Sequence, residues 1–113
     1  MIMDDDKNLI YELIYLDLAI EVLERDLITI DHSRIKFKEP YKARVEEILK
    51  QQLIDRRTKK NLSRKKGIKL FERKVLDADF IDWPYIVRGY EGVQRIWTAA
   101  IRKKLNELLK ELL

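Results

Sequence analysis

The run DDDKNLIYELIYLDLAIEVLERDL, residues 4–27, carries apolar residues in two helical registers at once. Leu9, Leu13, Leu16, Ile20, Leu23 and Leu27 recur at alternating spacings of four and three, the seam of a helix packed lengthwise on another. Ile10, Ile14, Leu18 and Val22 form a second row at a spacing of four, on a different side of the same cylinder because four residues slightly overshoot a turn. One packing partner cannot cover both rows. Helix 1 is therefore either central in its own fold or lends the second row to another chain, and Ile10, Ile14, Leu18 and Val22 are the candidate partner interface. Three aspartates at its start suit the positive end of the helix dipole.

Working outward, Ile28 and Ile30 alternate with polar neighbours, as do Ile35 and Phe37 beyond His32 and Ser33, which leaves room for a short β-hairpin at about residues 27–38. An irregular connection fits the same residues, since a lone two-stranded ribbon is marginal. Pro40 suits the first turn of a second helix carried by Tyr41, Val45, Ile48, Leu49 and Leu53. Residues 68–81 mix alternation with helical spacing and read as irregular, extended at first. Asp82 and Pro84 then open a helix running to the C-terminus with Tyr90, Val93, Trp97, Ile101, Leu105, Leu108 and Leu112 on one face. The fold class expected is mainly α, three principal helices around one core, with residues 1–113 a single helical domain.

Composition narrows the chemistry. With 46% hydrophobic and 39% charged residues the chain has enough apolar surface to fold beneath a densely ionic exterior. The absence of cysteine excludes disulfides and thiolate chemistry, and His32 is the only histidine, so no zinc site of the usual Cys/His kind can form. The acidic start is unlike a secretory signal and no apolar run reaches a membrane span, so a cytoplasmic protein without a membrane role is expected. No phosphate loop, nucleophile elbow or HExxH motif is present, and a non-enzymatic protein without cofactor or metal is expected.

Charge is unevenly laid out. Residues 1–26 carry a balance of −6, whereas residues 55–74 carry +8. In the latter, Arg56, Arg57, Lys59, Lys60, Arg64, Lys65, Lys66, Lys69, Arg73 and Lys74 are opposed only by Asp55 and Glu72. Such a run repels itself and calls for an anionic neighbour or abundant water. One answer is nucleic acid: Lys and Arg displace condensed counterions from phosphates, so Arg56, Arg57, Lys59, Lys60, Arg64, Lys65, Lys66 and Lys69 are the candidate nucleic-acid-binding residues. Phe71 is the only aromatic in the stretch, which favours backbone contacts over base stacking. The other answer is internal, with Asp5, Asp6, Glu12, Asp17, Glu21 and Glu24 of helix 1 facing the cations.

The remaining constellations read as structural. Gly89 and Gly92, in GYEG, are similar in spacing to the GxxG loop of KH domains, but Glu91 inside the loop and the lack of a closing strand depart from that pattern. The glycines then permit a close approach or a kinked helix start. Trp83, Tyr85, Tyr90 and Trp97, with Arg88 and Arg95, could wall an anion pocket, although aromatics at such spacing more often pack a core. Asp77, Asp79 and Asp82 lack the glycine and terminal Glu of a calcium loop and read as turn and cap residues. The function expected is a small regulatory or accessory protein binding nucleic acid through phosphate contacts. The alternative is a homodimeric or partner-binding helical adaptor using the second face of helix 1.

Overall fold

The computed structural model describes residues 1–113. It is mainly α, with 63% of residues in three helices and 19% in a four-strand antiparallel sheet. The order is α1 (Asp4–Asp31), α2 (Lys38–Lys65), β1 (Ile68–Leu70), β2 (Lys74–Val75), β3 (Phe80–Val87), β4 (Tyr90–Trp97) and α3 (Thr98–Leu112).

α1 is central. Ten of its apolar residues, among them Leu9, Ile10, Leu13, Ile14, Leu18 and Leu23, are buried, which answers how two apolar rows are covered in one chain. The main cluster joins Leu9, Ile10, Leu13, Ile14, Tyr15 and Leu18 to Ile68, Trp83, Tyr85, Val87 and Ile96 of the sheet and Ile101 of α3. A separate, smaller cluster of Leu23, Val45 and Ile48 lies where α2 begins, with Leu109 and Leu112 of α3 packed on it. The core thus falls into two parts, where a single one was expected. α2 runs back antiparallel along α1, in a register marked by ion pairs Asp31–Lys42 (2.9 Å), Asp17–Arg56 (3.1 Å) and Glu12–Lys59 (3.4 Å).

The expected hairpin at 27–38 is not formed: α1 continues to Asp31 and α2 starts at Lys38. The alternation of Ile28 and Ile30 misled because Leu23, Leu27 and Ile30 also continue the seam of α1, and their packing on the smaller cluster decides the matter. The helix ends when side chains take over its last carbonyls. His32 Nδ1 lies 2.8 Å from Ile28 O, and Ser33 Oγ donates to Ile30 O at 2.7 Å.

The C-terminal half departs further. Residues 68–81 are not irregular throughout, since they supply β1 and β2, and the helix expected from Asp82 is confined to α3, beyond Trp97. Ile81, Trp83, Tyr85 and Val87 alternate toward the core with the β-branched and aromatic character of a strand. A two-residue turn, Arg88–Gly89, links β3 to β4 with Val87 facing Tyr90. Both turn residues have positive φ, +47° and +86°, the requirement of a type I′ turn whose twist matches that of the strands.

Pro84 sits inside β3, where a missing N–H would normally break a ladder. The edge it faces is bulged: β1 pairs with Val87 to Tyr85 and β2 with Asp82 and Ile81, and three residues, Phe71 to Arg73, span the interval that Trp83 and Pro84 fill on β3. Phe71 N–H donates to Pro84 O at 2.9 Å, so the nitrogen of Pro84 also points to this edge, where the bulge leaves no acceptor stranded.

Arg88 ties three elements together. Its guanidinium reaches Asp6 at 2.6 Å, the Lys66 carbonyl at 2.7 Å and the Met1 carbonyl at 2.7 Å, while its N–H donates to Gly67 O at 2.8 Å. Asp6 is buried and also accepts the Met3 N–H at 2.9 Å. Arg88, and then the Met3 amide, hold the Asp6 carboxyl down at about 2, against an ordinary 3.8, despite its burial. A carboxyl depressed by folding stabilises the fold fully above its ordinary range and loses that contribution as pH falls toward its folded value. The stability gap between the native chain and Asp6→Asn, from urea titrations, should therefore be widest near neutrality and narrow as pH falls from about 4 to about 2. A gap constant over that interval would remove the ion pair from the account.

Candidate nucleic-acid interface

The basic run folds as the second half of α2 and the edge strand after it. Arg, Lys, Gln and Leu are good helix formers, so few apolar residues suffice to continue α2 to Lys65. Its inner side is ionic. Arg56 pairs with Asp17, and Lys59 with both Glu12 and Asp55 (3.3 Å), while Ser63 is buried between the helices. The hydrocarbon stems of Arg56 and Lys59 replace the leucines used earlier in the helix. Lys66 caps α2, its N–H donating to Leu62 O, and Gly67 follows at φ +71°, where a Cβ would come within 2.9 Å of the Arg88 side chain. Arg64 and Lys65 lie in the last turn, where the negative end of the helix dipole favours them.

The structure divides the ten cations of residues 56–74. Arg56, Lys59 and Arg73, the last 3.0 Å from Glu21, are paired with carboxylates. Arg57, Lys60, Arg64, Lys65, Lys66, Lys69 and Lys74 have no carboxylate oxygen within 4.0 Å. Helix 1 therefore neutralises part of the run and leaves the larger part free. Arg57, Lys60 and Arg64 are exposed and spaced by three and four, so they line one flank of α2 over about 10 Å. Lys65 points to a different side of α2, and Lys66 sits half-buried at the helix end.

Beside this flank runs a groove of about 1030 Å³ between α1, α2 and β1. Lys60 and Arg64 line one wall, and Lys69, Phe71 and Arg73 the other, with Asp17, Glu21 and Glu24 of α1 also on its lining. Lys69 Nζ stands 5.2 Å from the centre of the Phe71 ring. Of the eight residues expected to bind nucleic acid, Lys60, Arg64 and Lys69 thus share the groove, Arg57 continues the row along the flank of α2 outside it, and Arg56 and Lys59 are committed to α1. Arg73 is the addition that the structure makes to the groove. Its place on the bulge between β1 and β2 could not be read without the strand pairing.

The other candidate residues resolve structurally. Ile10 and Ile14 are 0% exposed and Leu18 is buried, so these three of the candidate docking row belong to this chain's own core, while Val22 is half-buried. Trp83 and Tyr85 are buried beneath the sheet, while Tyr90 and Trp97 are exposed, so the four do not wall one pocket. Arg88 and Arg95 bind Asp6 and Asp82. Arg95, lying opposite Asp82 on the outer face of the sheet, holds it bidentately at 2.8 and 3.1 Å and lowers its carboxyl pKa. Asp77 Oδ1 accepts the N–H groups of Asp79 and Phe80, a turn role. No helix is long and apolar enough to cross a membrane.

The whole chain, residues 1–113, matches the model of a family described as YhjD protein. The uncharacterized protein YhjD of Bacillus subtilis strain 168 is 33% identical over 102 residues, which cover 90% of this chain and 84% of that relative. No solved structure matches.

Proposed function

The chain belongs to the YhjD protein family, and we propose that it is a small non-enzymatic accessory protein that binds a nucleic-acid backbone along the basic flank of α2. The observation that carries this reading is the row Arg57, Lys60 and Arg64, exposed and unpaired on one side of a helix, with Lys69 across the groove. Cations arranged along a line on a rigid element suit phosphates repeating along a strand, and their release of counterions supplies the free energy. The carboxylates of Asp17, Glu21 and Glu24 of α1 share the lining of the groove and disfavour close insertion of phosphate into it. Binding therefore runs along the flank and stays shallow, without base readout.

Fluorescence anisotropy with labelled duplexes of unrelated sequence tests this. Affinity should fall steeply with salt and differ little between sequences, and Arg57→Glu, Lys60→Glu and Arg64→Glu together should abolish it. Single Ala replacements at those positions should each reduce the slope of log affinity against log salt by about 1. Lys59→Ala should leave the slope unchanged, because Lys59 is already paired with Glu12 and Asp55. Absence of binding at low salt would overturn the reading.

A further inference from the structure

β4 forms one side of the sheet, with β3 as its sole neighbour. Val87 and Tyr90 close a two-residue turn and are thus a hydrogen-bonded pair, which sets the phase for Tyr85–Gly92 and Trp83–Gln94. The backbone N–H and C=O groups of Glu91, Val93 and Arg95 accordingly point away from β3. Their N–H groups make no turn, loop or cap bond elsewhere, and the Arg95 carbonyl receives only a long contact, 3.4 Å, from Gln94 Nε2. This eight-residue edge has no proline, lysine or bulge to block strand addition, and its only charges are one acid and one base, Glu91 and Arg95.

The side chains on the outer face of this edge are Glu91, Val93, Arg95 and Trp97, and their order is selective. In an antiparallel pairing of two copies about Val93, Glu91 of each copy stands opposite Arg95 of the other, and Val93 meets Val93. Centring the pairing on Glu91 or on Arg95 sets like charges against each other, and centring it on Gly92 or Gln94 places Glu91 against Val93 or Trp97. Opposite charges directly across a ladder are favourable and like charges are not. Glu91 has no ion-pair partner within the chain, and Arg95 uses Nε and one terminal nitrogen on Asp82, leaving the other terminal nitrogen for a second carboxylate. The parity also agrees: pairing about Val93 makes Val93–Val93 and both Glu91–Arg95 positions hydrogen-bonded pairs, the phase in which the free groups point outward.

We propose that the β4 edge is a self-association surface on which a second copy of this chain adds antiparallel about Val93, giving one sheet continuous through the dimer. Val93 and Trp97, more than half exposed in the single chain, lie on the face this pairing extends. β1 and β2 occupy the opposite edge of β3, so the basic groove stays open in each copy and the dimer carries one at either end. The surface is independent of the nucleic-acid reading and can fail without it.

Light scattering on the full chain across a concentration series, up to millimolar, should show a mass rising to that of a dimer. Val93→Pro should weaken dimerisation at least about tenfold, by removing ladder bonds between copies, and leave the fold intact because the Val93 N–H takes no part in the ladder to β3. Glu91→Arg, which sets like charges opposite each other without touching β3, should do the same. The chain has no cysteine, so Val93→Cys introduces a single thiol placed opposite its counterpart, at a Cα separation of about 5.5 Å, within reach of a disulfide. It should oxidise to a covalent dimer, whereas Trp97→Cys, facing Gly89 of the second copy, should not. A monomer at every concentration overturns the proposal. So does a dimer that persists equally in Val93→Pro and Glu91→Arg.

Discussion

Ile10→Glu is expected to leave no folded protein, read as loss of helical circular dichroism and of soluble yield. Ile10 is 0% exposed within the cluster shared by α1, the sheet and α3. Truncating such a side chain to Ala costs about 2–5 kcal/mol through lost transfer free energy and the cavity left behind. A carboxylate adds several kcal/mol more, because it must be buried without water or find a proton. Against a total stability of about 5–15 kcal/mol for a domain of this kind, that sum is decisive. Ile10→Val, which keeps shape and removes one methyl, should cost only about 0.5–1.5 kcal/mol in a urea titration. Were the row Ile10, Ile14, Leu18 and Val22 a docking face, Ile10→Glu would give a well-folded monomer instead.

Gly92→Ala should cost about 1–3 kcal/mol, an effect out of proportion to one added methyl. Gly92 faces Tyr85 across the β3–β4 ladder, and a Cβ at that position would come within 2.5–2.6 Å of the Tyr85 ring and hydroxyl. The ring is rigid and itself buried, so it cannot swing aside without opening the core around Trp83 and Val87. Combining Gly92→Ala with Tyr85→Leu should relieve the clash. In a double-mutant cycle by urea unfolding the pair should cost clearly less than the sum of the single changes. Additivity would show that the overlap is absorbed elsewhere.

The C-terminal half shows where helical spacing and strand chemistry coincide in one sequence. Pro84, Gly89 and Gly92 read as the weak opening turns of a helix because Tyr90, Val93, Trp97 and Ile101 happen to share helical spacing. In the fold each is a strand device: a proline at a bulge, a glycine at positive φ in a turn, and a glycine that makes room for an aromatic ring. Pro84's role depends on Phe71 to Arg73, an edge more distant in sequence, whereas Gly89 and Gly92 belong to a local hairpin whose signal, the alternation of Ile81, Trp83, Tyr85 and Val87, competes with the helical spacing. α1, α2 and the last turns of α3 were legible because their signal is local and repeated. The candidate interface divides in the same way. The surplus of cations in residues 55–74 is visible in sequence, but which of them Glu12 and Asp17 consume depends on the antiparallel register of α1 and α2, and the pairing of Glu21 with Arg73 depends on where the sheet edge lies.

The unequal division of apolar packing along α1 has a further consequence. The molecule is elongated, 54 × 32 × 20 Å, because two helices of about 42 Å project past a sheet that covers only the first half of α1. The far half is held by Leu23, Val45 and Ile48 and the tail of α3. Heat or denaturant should therefore enter at the tip around His32 and travel toward the sheet, so that a partly opened species with a frayed helical hairpin and a closed base precedes global melting.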